Sequence, residues 1–354
     1  MADPLSVKAI DYTVDAGNVE DGALHILKQI RPSWPQKSVC FRYFMDGMTN
    51  KLVGCFLESQ PDEVVLLRIN GEATELIIDR KAEVETFVLL HAAGCSPPLY
   101  AVFNNGIAYG FFPGKPIDEE LVRDEQVATL IAKNMARLHV VRPKNSQSQQ
   151  VSYWPQKTQS FLDLVPTEFD DPRKQKMFQK DIPSKSDLQL ELEEINGQLQ
   201  SLDMPVVFCH NDLLLKNIIF DADKGEVNFI DYEYAFLNHQ AYDIGNHFCE
   251  YAGVETVNYD NYPDRDYQLL WLQRYLQFYS QALGHAASEV SERDVERLYV
   301  QVNKCACAAH FFWGIWALIQ AKNSSIDFDF LDYAKLRLNE YFRRKKEFFC
   351  LSLP

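Results

Sequence analysis

Val206 to Tyr234, reading VVFCHNDLLLKNIIFDADKGEVNFIDYEY, constrains this chain more than any other stretch. His210-Asn211-Asp212 is followed by Asn217, five residues after the aspartate, and Asp231 comes fourteen residues later at the end of an apolar run. Val206 to Phe208 is apolar and β-prone, so a strand should end just before Asp212 and release it into a loop. Asn217 lies on that loop, ahead of a second strand at Ile218 to Phe220. Asp221-Ala222-Asp223-Lys224-Gly225 is rich in turn formers. Val227 to Ile230 returns as the second arm of a hairpin and should deliver Asp231 beside Asn217. Oxygen ligands of this kind suit Mg²⁺, which keeps several waters and is shared with phosphates. Phosphoryl transfer of the protein-kinase type needs such a set: one aspartate to receive a hydroxyl proton, and an asparagine and a second aspartate to hold Mg²⁺ on the nucleotide. A surface hairpin that happens to carry Asp and Asn is the competing reading, and the joint spacing argues against it.

At 354 residues the chain is long for a single core, so two lobes are expected. Its net charge of −15 disfavours nucleic acid and an anionic membrane as main partners and is compatible with a cationic substrate. The eight cysteines show no zinc spacing; Cys305 and Cys307 are one residue too close for CxxC, and Cys40, Cys55, Cys209 and Cys249 read as small buried hydrophobes. No basic region followed by an apolar segment opens the chain, so no signal peptide is visible. The apolar stretch Cys305 to Ile319 is too short for a comfortable membrane span and contains His310, which points to a buried helix and against stable membrane insertion. Reduced thiols in the cytoplasm are the simplest reading.

Residues 1–20 read as a loosely held, variable lead-in. From Arg42 to Phe56 the sequence reads strand, polar turn, strand, and Glu63 to Ile69 is a third strand. Ile77 to Gly94 has helical spacing and ends at a glycine. Leu99 to Phe103 and Ile107 to Phe112 flank Asn104-Asn105-Gly106, a hairpin signal. A small β-rich lobe thus occupies residues 21–114. The remainder, 115–354, is helix-dominated apart from the catalytic hairpin, with a polar loop near 144–152. The fold class is α+β, with a small β-rich N-lobe and a large helical C-lobe.

The segments HNDLLLKN (210–217), FIDYEYAFLNHQAYDIGNHFCEYAG (229–253) and HFFWGIWALIQAKNSSIDFDFLDYA (310–334) closely resemble the choline/ethanolamine kinase family, and the resemblance covers nearly everything beyond residue 40. It implies a bilobal protein-kinase-like fold of the aminoglycoside phosphotransferase/choline kinase type, and phosphorylation of a small amino alcohol with ATP and Mg²⁺. Leu214, Leu215 and Lys216 look like the ethanolamine version; choline kinases typically have glutamine at the first position and glycine at the third. Tyr251 to Val254 also resembles ethanolamine kinases. Family members often dimerise, so a homodimer is allowed, although no segment marks its interface.

The resemblance and the residues together suggest roles. Asp212 is the expected catalytic base and also meets the substrate hydroxyl. Asn217 and Asp231 are the expected Mg²⁺ ligands, and His210 braces the loop. Gly47, Thr49 and Asn50 lie in the turn that matches the family's phosphate cover. Arg68 sits inside an apolar strand, where a cation needs a partner. Glu83 on the next helix is the expected counter-ion, with Glu85 as a competitor. Gly110, Phe111 and Phe112 fall where the hinge should hold adenine. On the acceptor side, Glu250 matches the family's acid, and Trp313, Trp316 and Tyr333 resemble its aromatic cage. Glu233 is an acid near the metal or phosphates. Asp243 supports the catalytic loop through backbone hydrogen bonds.

Ethanolamine phosphorylation, the first step of the CDP-ethanolamine route to phosphatidylethanolamine, is the leading functional reading. A choline or dual choline/ethanolamine kinase is the alternative. A non-catalytic kinase-like binding module is disfavoured because Asp212, Asn217 and Asp231 are all present. No segment resembles D-F-G or A-P-E, which argues against a protein kinase.

Overall fold

A computed structural model describes residues 7–44, 50–71, 78–143, 152–285, 290–324 and 326–354. The chain divides into two compact units, Met1–Lys115 with Ile219–Glu233, and Pro116–Ile218 with Tyr234–Pro354. The hairpin that ends at Asp231 therefore groups with the first unit, although its chain position lies within the second.

In the first unit, strands β1 (Lys8–Ile10), β2 (Val39–Phe44), β3 (Lys51–Leu57), β4 (Gln60–Ile69), β5 (Leu99–Phe103) and β6 (Gly106–Gly110) form a sheet of order β1-β5-β6-β4-β3-β2. The β1–β5 pair is parallel and the other pairs are antiparallel. Helix α1 (Val19–Ile30) repeats apolar residues at helical spacing and buries Val19, Ala23, Ile26 and Leu27 with Val53, Val65, Leu67, Ala101 and Phe103. The reading of residues 1–20 as a loose lead-in fails for their described part. Ile10 and Val14 belong to that core, and β1 is hydrogen-bonded into the sheet. Helix α2 (Arg80–Ala92) begins where the Asp79 side chain accepts the N–H groups of Lys81 and Ala82. Its Phe87 packs with Leu99 and Ile107 in a second cluster.

Alternation along β4 explains the placement of Arg68. Val65, Leu67 and Ile69 belong to the core shared with α1, so Arg68 belongs to the opposite set of side chains, where it pairs with Glu83 of α2. Gly106 follows from the same sheet: a Cβ there would lie 2.1 Å from the Arg68 carbonyl oxygen, a distance only glycine permits. After β7 (Lys115–Pro116), the chain enters the second unit.

The second unit holds α3 (Glu125–His139), α4 (Trp154–Leu164), α5 (Pro172–Asp181), α6 (Lys185–Gln200) and β8 (Val206–Cys209). The hairpin β9 (Ile218–Asp221) and β10 (Glu226–Phe229), which groups with the first unit, comes next in the chain, and the second unit resumes with β11 (Phe236–His239), α7 (Gln240–Cys249), α8 (Arg265–Ala282), α9 (Glu292–Asn323) and α10 (Phe330–Phe348). Strand β8 pairs antiparallel with β11 and so fixes the start of the catalytic loop. Among the described residues α9 is the one helix long and apolar enough to cross a membrane, and its apolar window is 100% buried. It is the core helix of this unit, as the expectation of a buried helix requires. Gly245 lets α7 lie against it, since a Cβ there would come within 2.7 Å of the Val302 carbonyl oxygen.

Candidate active site

The catalytic loop leaves β8 at His210 and is held from behind by α7. Asp243 accepts the backbone N–H of His210 at 2.8 Å and of Asn211 at 2.7 Å. His139 shares the same carboxylate at 3.0 Å and contacts the Tyr275 hydroxyl at 2.6 Å through its other ring nitrogen. Burial pushes the Asp243 carboxyl up, but the hydrogen bond and charge of His139 outweigh it, so its pKa is held below the usual carboxylate value. Cys209 lies close enough to His139 and Asp243 to suggest a metal cluster. Its thiol is instead directed at the Asn238 and His239 carbonyls at 3.6 Å, and burial raises its pKa far above normal. With the carboxylate taken up by His139 and two backbone N–H groups and the thiol turned to carbonyls, the trio reads as a loop brace.

Asn211 has φ +64°, a left-handed conformation that a non-glycine residue adopts only when its surroundings impose it. Its side chain donates to the Tyr234 carbonyl at 2.9 Å and accepts from Asn238 at 2.7 Å. Asp212 follows, half-buried. The Asn217 amide donates to the Asp212 backbone carbonyl at 2.9 Å, which leaves Oδ1 as the end that can face a cation. His247 on α7 donates from Nδ1 to the Leu213 carbonyl at 3.2 Å. Burial lowers its pKa to about 4, so it braces the loop as a neutral ring.

The acceptor-side residues lie in the same unit. Trp313 donates to Asn246 and Trp316 to the Tyr234 hydroxyl, each at 2.8 Å, with the two indoles edge-on at 5.4 Å. Glu250 follows α7 and is ion-paired with Arg337 at 2.9 Å, both groups being buried. Tyr333 stands one helical turn before Arg337 on α10, with the guanidinium 5.7 Å over its ring. Burial raises the Tyr333 phenol; Arg337 opposes this, while Glu250, Tyr259 and Asp212 add to it. Tyr333 and Glu250 thus share Arg337 as a neighbour. Arg337 Nε and Nη2 and the Tyr259 hydroxyl have no hydrogen-bond partner among the described residues. Sequence reasoning missed Arg337; its signal was a cation placed i+4 from Tyr333 on an otherwise apolar helix face.

In the first unit an alternating chain of charges runs from the hairpin to α2. Arg68 lies 3.5 Å from Asp231 and is also ion-paired with Glu83, which resolves the choice between Glu83 and Glu85. Arg80, absent from the sequence reading, contacts Glu83 at 3.0 Å and Glu233 at 3.2 Å. Burial alone would lower the Arg68 pKa, but Glu83, Glu233 and Asp231 together raise it, so Arg68 stays charged. Asp231 has φ +63°. Burial and the neighbouring charge of Glu233 push its carboxyl up to about 7 against Arg68 and Arg80. Its side chain retains 33% exposure, so the like charge is the firmer of these two causes. Oδ1 of Asp231 is buried, faces the Arg68 guanidinium at 3.5 Å and accepts no hydrogen bond among the described residues. A strained carboxylate with a crowding like charge, balanced by a guanidinium and without a hydrogen bond on Oδ1, fits a cation-binding role. Asn50 reaches Glu233 at 3.5 Å. Gly110 donates to the Pro98 carbonyl at 2.9 Å, and Phe111 lies 6.0 Å from Phe44. Phe112 is partly exposed just beyond β6. Gly47 and Thr49, expected at the phosphate cover, lie outside the described residues.

Residues 41–342 match the model of the family described as "Choline/ethanolamine kinase". The chain is 46% identical to ethanolamine kinase 1 of Mus musculus, over 98% of this chain and 96% of that one. It is 44% identical to ethanolamine kinase 2 of the same species, over 99% and 87%. Among solved structures, Plasmodium vivax ethanolamine kinase superposes with a TM-score of 0.79 at 24% identity, covering 92% of this chain and 89% of that one, a likeness of fold. The fold is thus of the choline kinase/aminoglycoside phosphotransferase type, and the chain belongs to the choline/ethanolamine kinase family of ATP-using kinases.

Proposed function

We propose that this enzyme transfers the γ-phosphoryl group of ATP to the hydroxyl of ethanolamine, releasing ADP and phosphoethanolamine for phospholipid head-group synthesis. The observation that carries the reading lies within the second unit. It holds Asp212 on a loop tied to Asp243, and a buried Glu250 fixed by Arg337, whose guanidinium lies 5.7 Å over the Tyr333 ring, so it carries a proton acceptor and a buried carboxylate with an aromatic side chain beside it. A short amino alcohol has a hydroxyl for the first and an ammonium for the second. The relatives named above carry the same activity in their names.

In this mechanism Asp212 orients the substrate hydroxyl and accepts its proton as the oxygen–phosphorus bond forms and the bond to the ADP oxygen breaks. Glu250 and the rings of Trp313, Trp316 and Tyr333 hold the ammonium group. Arg68, kept charged by Glu83, faces phosphate oxygens, and Asn50 is an expected neighbour of that region. Gly110, Phe111 and Phe112 supply backbone groups and ring faces for adenine. Asn217 Oδ1 and Asp231 would hold Mg²⁺, which when bound neutralises the phosphate charge that develops during transfer. Asp243 and His210 keep the loop in place, and Glu233 acts behind Asp231. The eight cysteines are all free thiols, which suits the cytoplasm.

The aromatic side chains keep a choline or dual-specificity kinase as the second reading, because a quaternary ammonium has no N–H donors and depends on ring faces. The experiment is kcat/KM for ethanolamine and choline on purified protein with Mg·ATP. We expect ethanolamine to be preferred by at least about tenfold, because a site built to hydrogen-bond an N–H rejects an analogue that lacks it. Preference for choline would overturn the substrate assignment. Activity on neither would overturn the enzyme reading.

A further inference from the structure

Arg80 belongs to no motif that the sequence singles out, yet it is the link that closes the charge chain of the first unit. We propose that Arg80 is a positioning residue that sets the enzyme's preference for Mg²⁺ over Ca²⁺, by clamping Glu233 so that Asp231 alone among the carboxylates of Ile230 to Glu233 is offered to the metal. The inference rests on the assignment of Asp231 as a metal ligand made above.

The geometry is specific. The Asp79 cap fixes the first turn of α2, where Arg80 is the first helical residue. From there Nη1 reaches Glu83 Oε2 at 3.0 Å and, 153 positions away in sequence, Glu233 Oε2 at 3.2 Å. Asn50 Nδ2 approaches the same Glu233 oxygen at 3.5 Å. The Glu233 side chain is only 4% exposed, so water cannot replace the guanidinium as its neutralising partner. Tyr232, between the two acids, is anchored by its hydroxyl to the Cys95 carbonyl at 2.7 Å, which keeps Asp231 and Glu233 close together.

A buried glutamate released from Arg80, two residues from a carboxylate whose Oδ1 accepts no hydrogen bond among the described residues, is a candidate second ligand. That addition is not neutral between metals. Mg²⁺ is usually bound through one or two carboxylates, retains several waters and demands near-octahedral geometry; Ca²⁺ takes six to eight oxygens and accepts crowded, bidentate carboxylates. Arg80 therefore keeps the site sparse in ligands, which favours the smaller ion. Loss of Arg80 should enrich the site in carboxylate oxygens and favour the larger one.

The test uses the full chain and a fluorescent ATP analogue, titrated with Mg²⁺ and separately with Ca²⁺, with the metal dependence of ethanolamine phosphorylation measured alongside. In Arg80→Met the ratio of Ca²⁺ to Mg²⁺ apparent affinity should rise about tenfold, the scale on which groups behind a metal ligand tune a site. Ca²⁺ should inhibit turnover at correspondingly lower concentration. Arg80→Lys should stay close to wild type, and Arg80→Met/Glu233→Gln should return the ratio toward wild type. Arg80→Gln, which retains a donor but no charge, should shift in the same direction as Arg80→Met and serves if the latter does not fold. An unchanged ratio in Arg80→Met or Arg80→Gln, with metal-dependent binding intact in the wild type, overturns this inference and leaves the kinase reading standing. A wild type that binds the nucleotide equally well without divalent ions removes both the metal role of Asp231 and the inference.

Discussion

Asp212 and Asp231 stand in different electrostatic settings. Asp212 sits on a loop whose backbone is tied to a buried, ionised Asp243. Asp231 sits beside a second carboxylate and two guanidiniums. His247 joins the first setting and makes it sensitive to pH. An unfolded histidine titrates near 6.5, whereas burial holds the folded ring near 4. Between those values the unfolded chain binds the extra proton and the folded chain does not. The contribution of His247 to stability is therefore complete above the unfolded value and is lost as pH falls from 6.5 toward 4. That gap corresponds to about 3 kcal/mol. Urea unfolding at neutral pH and near pH 4 should show a steeper acid loss in wild type than in His247→Asn, which keeps a donor for the Leu213 carbonyl; equal slopes would show that His247 does not titrate in this way. Among single residues, legibility followed chemical contrast. Arg68 could be read because a cation inside LLRIN demands a partner. Arg80 could not, because an arginine in a first helical turn is ordinarily solvated and its partner Glu233 is distant in sequence.

Elements carry these residues into place. Helix α7 presents Asp243 and His247 to the catalytic loop and lies against α9 through Gly245. Gly245→Ala should force the helices apart and cost about 1–3 kcal/mol, the usual scale of overpacking. It should also lower kcat, because both loop braces move with α7. Ser291 and Asp294 form a capping box at the far, exposed end of α9. Ser291→Ala should cost about 1 kcal/mol with kcat unchanged. Urea midpoints and kcat for the two variants decide this; a Gly245→Ala enzyme with normal turnover would uncouple α7 from the loop. At this scale the sequence was informative where pattern is local. The hairpin around Asp221 to Gly225 and the Asn104-Asn105-Gly106 turn form as expected. Strand β1 was not legible, since three residues acquire a strand's identity only from parallel pairing with β5, about ninety positions away. Helix α1 does carry a signal, with Val19, Ala23, Ile26, Leu27 and Ile30 at helical spacing, although the strand-by-strand reading of residues 21–114 assigns no helix there.

For the whole molecule, the net charge of −15 is compatible with a cationic substrate but does not locate its site. The long apolar helix passes a composition test for a membrane span, yet its apolar window is completely buried. Both features acquire meaning only from the fold and the family. The acceptor region shows the limit of sequence reading. Its aromatic and acidic residues were named in advance, but the buried Arg337 partner of Glu250 was not, and that partner leaves Glu250 a neutralised, fixed acceptor rather than a free charge. In the proposed mechanism Asp212 takes the proton from the substrate hydroxyl, on a loop held from behind by Asp243. The most direct test is single-turnover transfer of the γ-phosphoryl group to ethanolamine by wild type and Asp212→Asn, with Mg·ATP affinity measured on the same samples. A general-base role for Asp212 requires unchanged nucleotide affinity and a rate lower by about 10²- to 10⁴-fold. Near-normal transfer by Asp212→Asn would contradict it.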